Sequence, residues 1–131
     1  MPSIFTRIIN GEIPFYKVAE NEKFLAFLDI NPLAKGHTLV IPKKEIDYIF
    51  DIDDELLAEL FVFSKKTGQA IKKIVSCKRI GITVIGIEVP HAHVHLIPIN
   101  SVSDMNFARP KLSFSNEELA ETAEMIRMVW G

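Results

Sequence analysis

His91-Ala92-His93-Val94-His95-Leu96-Ile97 is the stretch on which the reading of this chain turns. Three of the four histidines in 131 residues fall in its first five positions. In an extended strand successive side chains alternate faces, so His91, His93 and His95 project one way and Ala92, Val94 and Leu96 the other. The apolar set suits a core. Three imidazoles in a row do not, because each costs free energy to bury unless its nitrogens are hydrogen-bonded. One face of the segment is therefore built for packing and the other for chemistry.

Outward from this segment the pattern predicts an α+β domain with an antiparallel sheet. Arg79–Val89, rich in Ile and Val, reads as a strand. Pro90, which has no N–H to donate, bends the chain before the strand His91–Asn100. Asp51–Ser76 reads as the longest helix, its first turn loaded with Asp51, Asp53, Asp54 and Glu55 to suit the helix dipole. Leu56, Leu57, Leu60, Phe63, Ile71, Ile74 and Val75 form its apolar stripe, and Lys65-Lys66 and Lys72-Lys73 fall on a solvated face. Nearer the start, Ser3 caps a short helix carrying Ile4, Phe5, Ile8 and Ile9, ended by Gly11 and Pro14. Tyr16–Glu20 and Lys23–Asp29 form a hairpin across Asn21-Glu22. Asn31-Pro32 opens a loop that Lys35-Gly36 closes before the strand His37–Pro42.

At the other end, Asp104–Ser113 is a polar, proline-containing connection that either covers a site or moves. Ser115-Asn116-Glu117-Glu118 is a capping box opening a helix with Leu119, Ala123, Ile126 and Val129 inward. The order α-β-β-β-α-β-β-α with hairpin-length links favours a single α+β domain over residues 1–131. Its core covers 1–100, and 101–131 supply a connecting loop and C-terminal helix.

Composition narrows the function. Fifteen basic against 17 acidic side chains give a net charge of −2, which argues against a nucleic-acid binder relying on bulk positive potential. The single cysteine, Cys77, excludes an internal disulfide and any CxxC zinc knuckle or redox pair. The opening Met1-Pro2-Ser3-Ile4-Phe5-Thr6-Arg7 lacks the basic and apolar regions of a signal peptide. No run approaches the ~18 apolar residues of a membrane span. The expectation is a cytoplasmic protein with a small-molecule partner, no nucleic acid and no membrane.

The histidine row admits two chemistries. Histidines at i and i+2 can share a zinc ion, but the outer pair has Cα atoms roughly 13 Å apart in a strand, too far for one ion. A metal would need two of them plus a ligand such as Glu88 or His37. The other chemistry is covalent: a neutral imidazole attacks phosphorus well and leaves a labile P–N bond. The middle residue, His93, has an imidazole on either side to orient it or move a proton near neutral pH, and is the candidate nucleophile.

The stretch matches the His-φ-His-φ-His-φ-φ signature (φ apolar) of the histidine-triad, or HIT, superfamily. Ser3-Ile4-Phe5-Thr6-Arg7-Ile8-Ile9 with Glu12-Ile13-Pro14 resembles the opening of its nucleotide-binding, Hint-like branch. Phe24–Ile30 and Gly36–Lys43 resemble the next two blocks. The resemblance covers roughly the first hundred residues. It implies a five-stranded antiparallel sheet with a long helix, a homodimer with two nucleotide sites, and no metal or cofactor in the attack. By that resemblance His93 attacks the α-phosphorus of a nucleoside monophosphate conjugate and forms a nucleotidyl-histidine. His95 contacts phosphate and assists the leaving group, His91 orients His93 through its backbone carbonyl, and His37 completes the cluster. Asp29 binds the ribose hydroxyls; Phe5, Ile8, Phe27 and Ile30 wall a purine base.

Three positions depart from the family pattern. Ile87 stands where a glutamine that hydrogen-bonds phosphate is expected. Glu88 replaces a small hydroxyl residue, and Glu45 stands where Lys-Lys-His is common. These departures set a second expectation beside the hydrolase or nucleotidyl transferase: a nucleotide-binding regulatory module with weak or no turnover.

Overall fold

The computed structural model describes residues 2–131. α1 (Ile4–Ile9) leads into β1 (Lys17–Glu20), β2 (Phe24–Leu28) and β3 (Thr38–Pro42). The long α2 (Asp54–Ile74) follows, then β4 (Arg79–Thr83), β5 (Val94–Ile99) and α3 (Asn116–Val129). Short 3-10 turns precede α2 at Ile49–Asp51 and follow β5 at Val102–Met105. The five strands form one sheet in the order β1-β2-β3-β5-β4, every neighbouring pair antiparallel.

Strand alternation decides what lies on each face. Phe24, Ala26 and Leu28 of β2, Val40 of β3, and Val94 and Leu96 of β5 join the main core with Leu60, Phe63 and Ile71 of α2 and Leu119, Ala123 and Ile126 of α3. The opposite parity, Leu25 and Phe27 with Leu39 and Ile41, meets Phe5 and Ile8 of α1 in a second cluster. All residues of β2 and β3 are therefore buried: α2 and α3 cover one face and α1 the other. His95 lies opposite Leu39 in the β3–β5 ladder, so the histidine face is the one α1 partly covers.

Capping fixes the helix ends. Ser3 Oγ accepts the Thr6 N–H at 3.0 Å. Asp53 accepts the Leu56 N–H at 2.9 Å. Ser115 and Glu118 form the expected reciprocal box. The second helix is shorter than the expected Asp51–Ser76, because Asp53 takes the N-cap and leaves Asp51 in the preceding 3-10 turn.

The two strands around Pro90 are also shorter than expected. The β4–β5 ladder ends at Thr83 opposite His95, and residues 84–93 leave the sheet. Gly86 turns there with φ +73, a backbone conformation disfavoured for side chains with a Cβ. Pro90 cannot donate to a ladder, and the Ala92 N–H bonds to Ile46 O at 2.7 Å instead of to a strand. The ends of the chain's hairpins shift by a residue or so, β3 starting at Thr38 rather than His37.

Candidate active site

His91 and His93 precede β5 and His95 lies in it, yet the alternation holds through the whole segment. Ala92, Val94 and Leu96 are in the main core, while His91, His93 and His95 are buried on the other face. Hydrogen bonds assign a tautomer to each ring. His91 Nε2 lies 2.8 Å from Pro42 O; a carbonyl only accepts, so Nε2 carries the proton. His91 Nδ1 therefore has the lone pair and accepts from Ser3 Oγ at 2.8 Å. His93 Nδ1 lies 2.8 Å from His91 O and must donate to it, which leaves the lone pair on Nε2 of the neutral ring.

The fourth histidine works the same way. Leu33 N–H donates to His37 Nδ1 at 3.0 Å, so His37 Nε2 bears the proton and donates to His95 Nδ1, also at 3.0 Å. The remaining proton of His95 is then on Nε2. The rings of His93 and His95 lie 4.9 Å apart. The cluster thus offers one lone pair, on His93, beside one N–H, on His95.

Burial suits these neutral forms. It pushes His37 down to about 3, helped by the neighbouring His95, Lys111 and His93, and His95 down to about 4 with His93 as the lesser cause. His91 is lowered by burial, against the opposing pull of Pro42 O and Glu45. Asp29 is raised by burial, which outweighs the Asn31 N–H bond and the charges of His93 and Lys111; Glu88 pushes the same way as burial.

Asp29 Oδ2 stands 3.7 Å from His37 Nε2, and its other oxygen accepts the Asn31 N–H at 2.9 Å. Asp29, His37 and His95 thus bring three ligand atoms within 4.8 Å of one another. This is a different trio from two triad histidines plus Glu88. A cation on His37 Nε2 would need the lone pair there and the proton on Nδ1, where the Leu33 N–H already points. Two donors would then face each other. The position suits a proton better than a metal ion.

The residues expected around the base are spread in depth. Phe5 packs edge-on against His93 at 5.0 Å between centroids, His91 at 5.8 Å and Phe27 at 5.5 Å. Phe5, Ile8 and Phe27 are buried, whereas Ile30 is 60% exposed. Ile87 is 83% exposed, and the backbone at Gly86 is open, with nothing within 4 Å of where a Cβ would stand. A cleft lined by Phe24, Phe63 and Trp130 lies against α2 but contains no histidine. Chemistry rather than concavity marks the site.

Three further groups stand beside the histidines. Glu45, which stands where the family commonly has Lys-Lys-His, turns to the first helix: its Oε1 accepts the Ser3 N–H at 2.7 Å and the Thr6 hydroxyl at 2.6 Å. It therefore braces the turn that aims Ser3 at His91. Phe107 stands edge-on to His95 at 4.9 Å and to His37 at 6.3 Å. Lys111 lies over the Phe107 ring, 5.8 Å from its centroid. The connection after β5 covers the site's edge rather than hanging free, and no periodic pattern in the sequence marks Phe107 or Lys111 for this position.

The chain's relatives share this arrangement's family. A HIT-domain family model matches residues 10–102. Adenosine 5'-monophosphoramidase hnt1 of Schizosaccharomyces pombe is 35% identical over 128 residues, covering 96% of this chain and 96% of that protein. The crystal structure of a Hit-like protein involved in cell-cycle regulation from Bartonella henselae aligns with TM-score 0.83 at 34% identity, covering 96% of this chain and 94% of that one. That of a hypothetical histidine triad nucleotide-binding protein from Sulfolobus tokodaii aligns with TM-score 0.81 at 33% identity, covering 95% and 89%. With the family matched across most of its length and the fold shared with these structures, the chain belongs to the histidine-triad (HIT) family.

Proposed function

We propose that the chain is a nucleotide hydrolase or nucleotidyl transferase acting at the α-phosphate of a purine nucleoside monophosphate conjugate. The observation that carries this reading is the 2.8 Å bond from His93 Nδ1–H to His91 O, which leaves Nε2 as a free nucleophile. The Nε2 lone pair forms a P–N bond as the bond from phosphorus to the leaving group breaks with its electron pair, an amine leaving group taking up a proton from solvent as it departs. The imidazolium so formed keeps Nδ1–H on His91 O. Water then attacks phosphorus, the P–N pair returns to Nε2, and one water proton is released. Asp29, an acceptor-only group, takes the ribose hydroxyls, and Phe5, Ile8, Phe27 and Ile30 shape the base side.

The relationship to a monophosphoramidase supports turnover of a nucleoside monophosphate conjugate. The decisive experiment is AMP release from adenosine 5'-phosphoramidate by wild type and His93→Ala. The reading requires turnover in wild type and none in the variant; equal turnover rejects the covalent route. Exposed Ile87 and the charge of Glu88 near Asp29 favour the second reading, a binding module. That reading predicts AMP binding with no turnover on any conjugate. In either case the open edge of β4, with Ile82 exposed, is where a second copy would pair to make a homodimer. Light scattering of purified protein checks this: a monomeric mass at assay concentration rejects it.

A further inference from the structure

The lysine pairs Lys65-Lys66 and Lys72-Lys73 have no part in the histidine site, which lies across the sheet from α2. With Lys78 and Arg79 they place six of the chain's 15 basic side chains between residues 65 and 79. None of its 17 acidic side chains falls between residues 60 and 87. All six cations are exposed, and among the described residues none forms an ion pair with an acidic group. Elsewhere Arg7, Lys17, Lys23, Lys43 and Arg109 each pair with an Asp or Glu.

The helix end explains part of this. Lys72 and Lys73, in the last turn of α2, suit the negative end of its dipole, and Lys72 Nζ donates to Cys77 O at 3.2 Å. The dipole acts within that turn, so Lys65 and Lys66, two turns earlier, gain nothing from it. Like charges gathered without counter-charge repel and cost folding free energy; a bound anion removes that cost.

The cations also border concave surface. Lys66, Lys72 and Lys73 line, with Gln69, Ala70 and Val129, a cavity of about 470 Å³ between α2 and the end of α3. On the other flank of α2, Lys65, Lys72 and Arg79 line a cavity of about 330 Å³ against β4. Gln69 and Lys72 belong to both, and no acidic side chain lines either. The clefts at Trp130 and beside β1, by contrast, contain Glu59 and Glu20.

Spacing selects the ligand. Lys65 and Lys72, like Lys66 and Lys73, are seven residues apart, close to two full turns, so each pair shares a stripe about 10 Å long. An extended acidic peptide presents one carboxylate per face every two residues, about 7 Å, too sparse for four ammoniums over that length. Single-stranded nucleic acid needs aromatic faces for its bases. The nearby Trp130 ring already has the Lys66 ammonium over it, 6.0 Å from the centroid, and its N–H donates to Thr67 Oγ1 at 2.9 Å. Directly linked phosphates carry their charges closest together, accept from lysine ammoniums and need no stacking.

We propose that the face of α2 around Lys66, Gln69, Lys72 and Lys73 binds a linear polyphosphate chain, at a site separate from the histidines. The chain has two sources, inorganic polyphosphate or the 5'-polyphosphate tail of a nucleotide. The site does not depend on the hydrolase reading.

The test is calorimetric titration of tripolyphosphate, ATP and orthophosphate at about 0.15 M salt. It compares wild type with Lys66→Gln/Lys73→Gln and with Lys17→Gln/Lys23→Gln, which takes the same charge from the β1–β2 hairpin. The first variant should bind tripolyphosphate about twentyfold more weakly, near fivefold for each exposed contact, and the hairpin variant should match wild type. An equal loss for ATP shows that the chain is recognised in either source. A loss for tripolyphosphate alone names the inorganic chain, and a loss for ATP alone names the nucleotide. If neither ligand loses more than about twofold, or the hairpin variant loses as much, the site is refuted. Orthophosphate losing as much as tripolyphosphate refutes recognition of a chain. Stronger displacement of tripolyphosphate by poly-glutamate or a single-stranded oligonucleotide of matched charge overturns the assignment in favour of a protein or a nucleic acid.

Discussion

Replacing Ser3 with alanine removes one oxygen and two hydrogen bonds. Ser3 Oγ accepts the Thr6 N–H that starts α1, at 3.0 Å, and donates to His91 Nδ1 at 2.8 Å. Loss of an N-cap costs about 1 kcal/mol. Leaving the Nδ1 acceptor of a fully buried imidazole unpaired costs about 1–3 kcal/mol more. Thr6 Oγ1, 3.5 Å from the same nitrogen, is the only nearby substitute among the described residues, and it already donates to Glu45. Rotating it toward His91 would exchange one loss for another. The sum is about 2–4 kcal/mol, a large share of the roughly 5–15 kcal/mol that holds a domain folded. At about 3–5 °C per kcal/mol for a chain of this size, the melting temperature should fall by about 10 °C. Thermal unfolding followed by circular dichroism measures it. Turnover should fall further than AMP affinity, because a shifted His91 moves the carbonyl that sets the His93 tautomer. Ser3→Thr should keep both bonds. A Ser3→Ala protein melting within about 2 °C of its parent, with unchanged turnover, would refute the link between this cap and the site.

Acid should destabilise the protein through the His37–His95 pair. Unfolded histidine takes a proton near pH 6.5, whereas the folded pair refuses one until about 4. The pair's contribution is therefore complete above about pH 7 and is lost as pH falls from 6.5 toward 4, amounting to about 3 kcal/mol for each proton that the unfolded pair binds and the folded pair refuses. Urea titrations at pH 7, 5.5 and 4.5 measure the slope, and His95→Asn should flatten it; equal slopes would count against the burial argument. Gly36, at φ +87 with Val75 Cγ2 only 2.8 Å from where a Cβ would stand, should not tolerate alanine. Gly36→Ala is expected to cost about 2–3 kcal/mol in chemical denaturation, and a cost under about 0.5 kcal/mol would contradict that geometry. Asp29→Asn should weaken AMP binding about tenfold and leave 2',3'-dideoxy-AMP binding unchanged in calorimetry; an equal loss for both nucleotides would place Asp29 away from the ribose.

The fold was largely legible because its main signals are local and periodic. Ser3, Ser115 and Glu118 are caps readable within four residues, and the alternation from Ala92 to Leu96 sorts a core face from a polar face without a partner strand. What the sequence misplaced depends on pairing. Arg79–Val89 has the composition of a strand throughout, but Gly86 and Pro90 interrupt its second half, and only the ladder tells where pairing stops. The site was legible as a set of histidines. Their tautomers were not, because Pro42 O, Leu33 N–H and His91 O are main-chain atoms present in every residue type. Glu45 illustrates a subtler limit. Its position reads only as a departure from the family's Lys-Lys-His, whereas its carboxylate reaches back 42 residues to the Ser3 amide. Phe107 and Lys111 lie beyond the segments that resemble the family most closely, and neither belongs to a helix or strand.

The bond from the Leu33 amide to His37 has a genetic consequence. It sets which way the proton chain runs through His37 and His95, yet its donor belongs to the main chain and survives nearly any codon change at position 33. Only proline would delete it, because proline alone lacks the N–H. Pro32 already occupies the neighbouring position, so one residue separates a permitted proline from one that would leave His37 free to reverse its tautomer. Drift in the side chains around this loop can alter the shape of the site while the polarity of its two buried imidazoles is inherited unchanged.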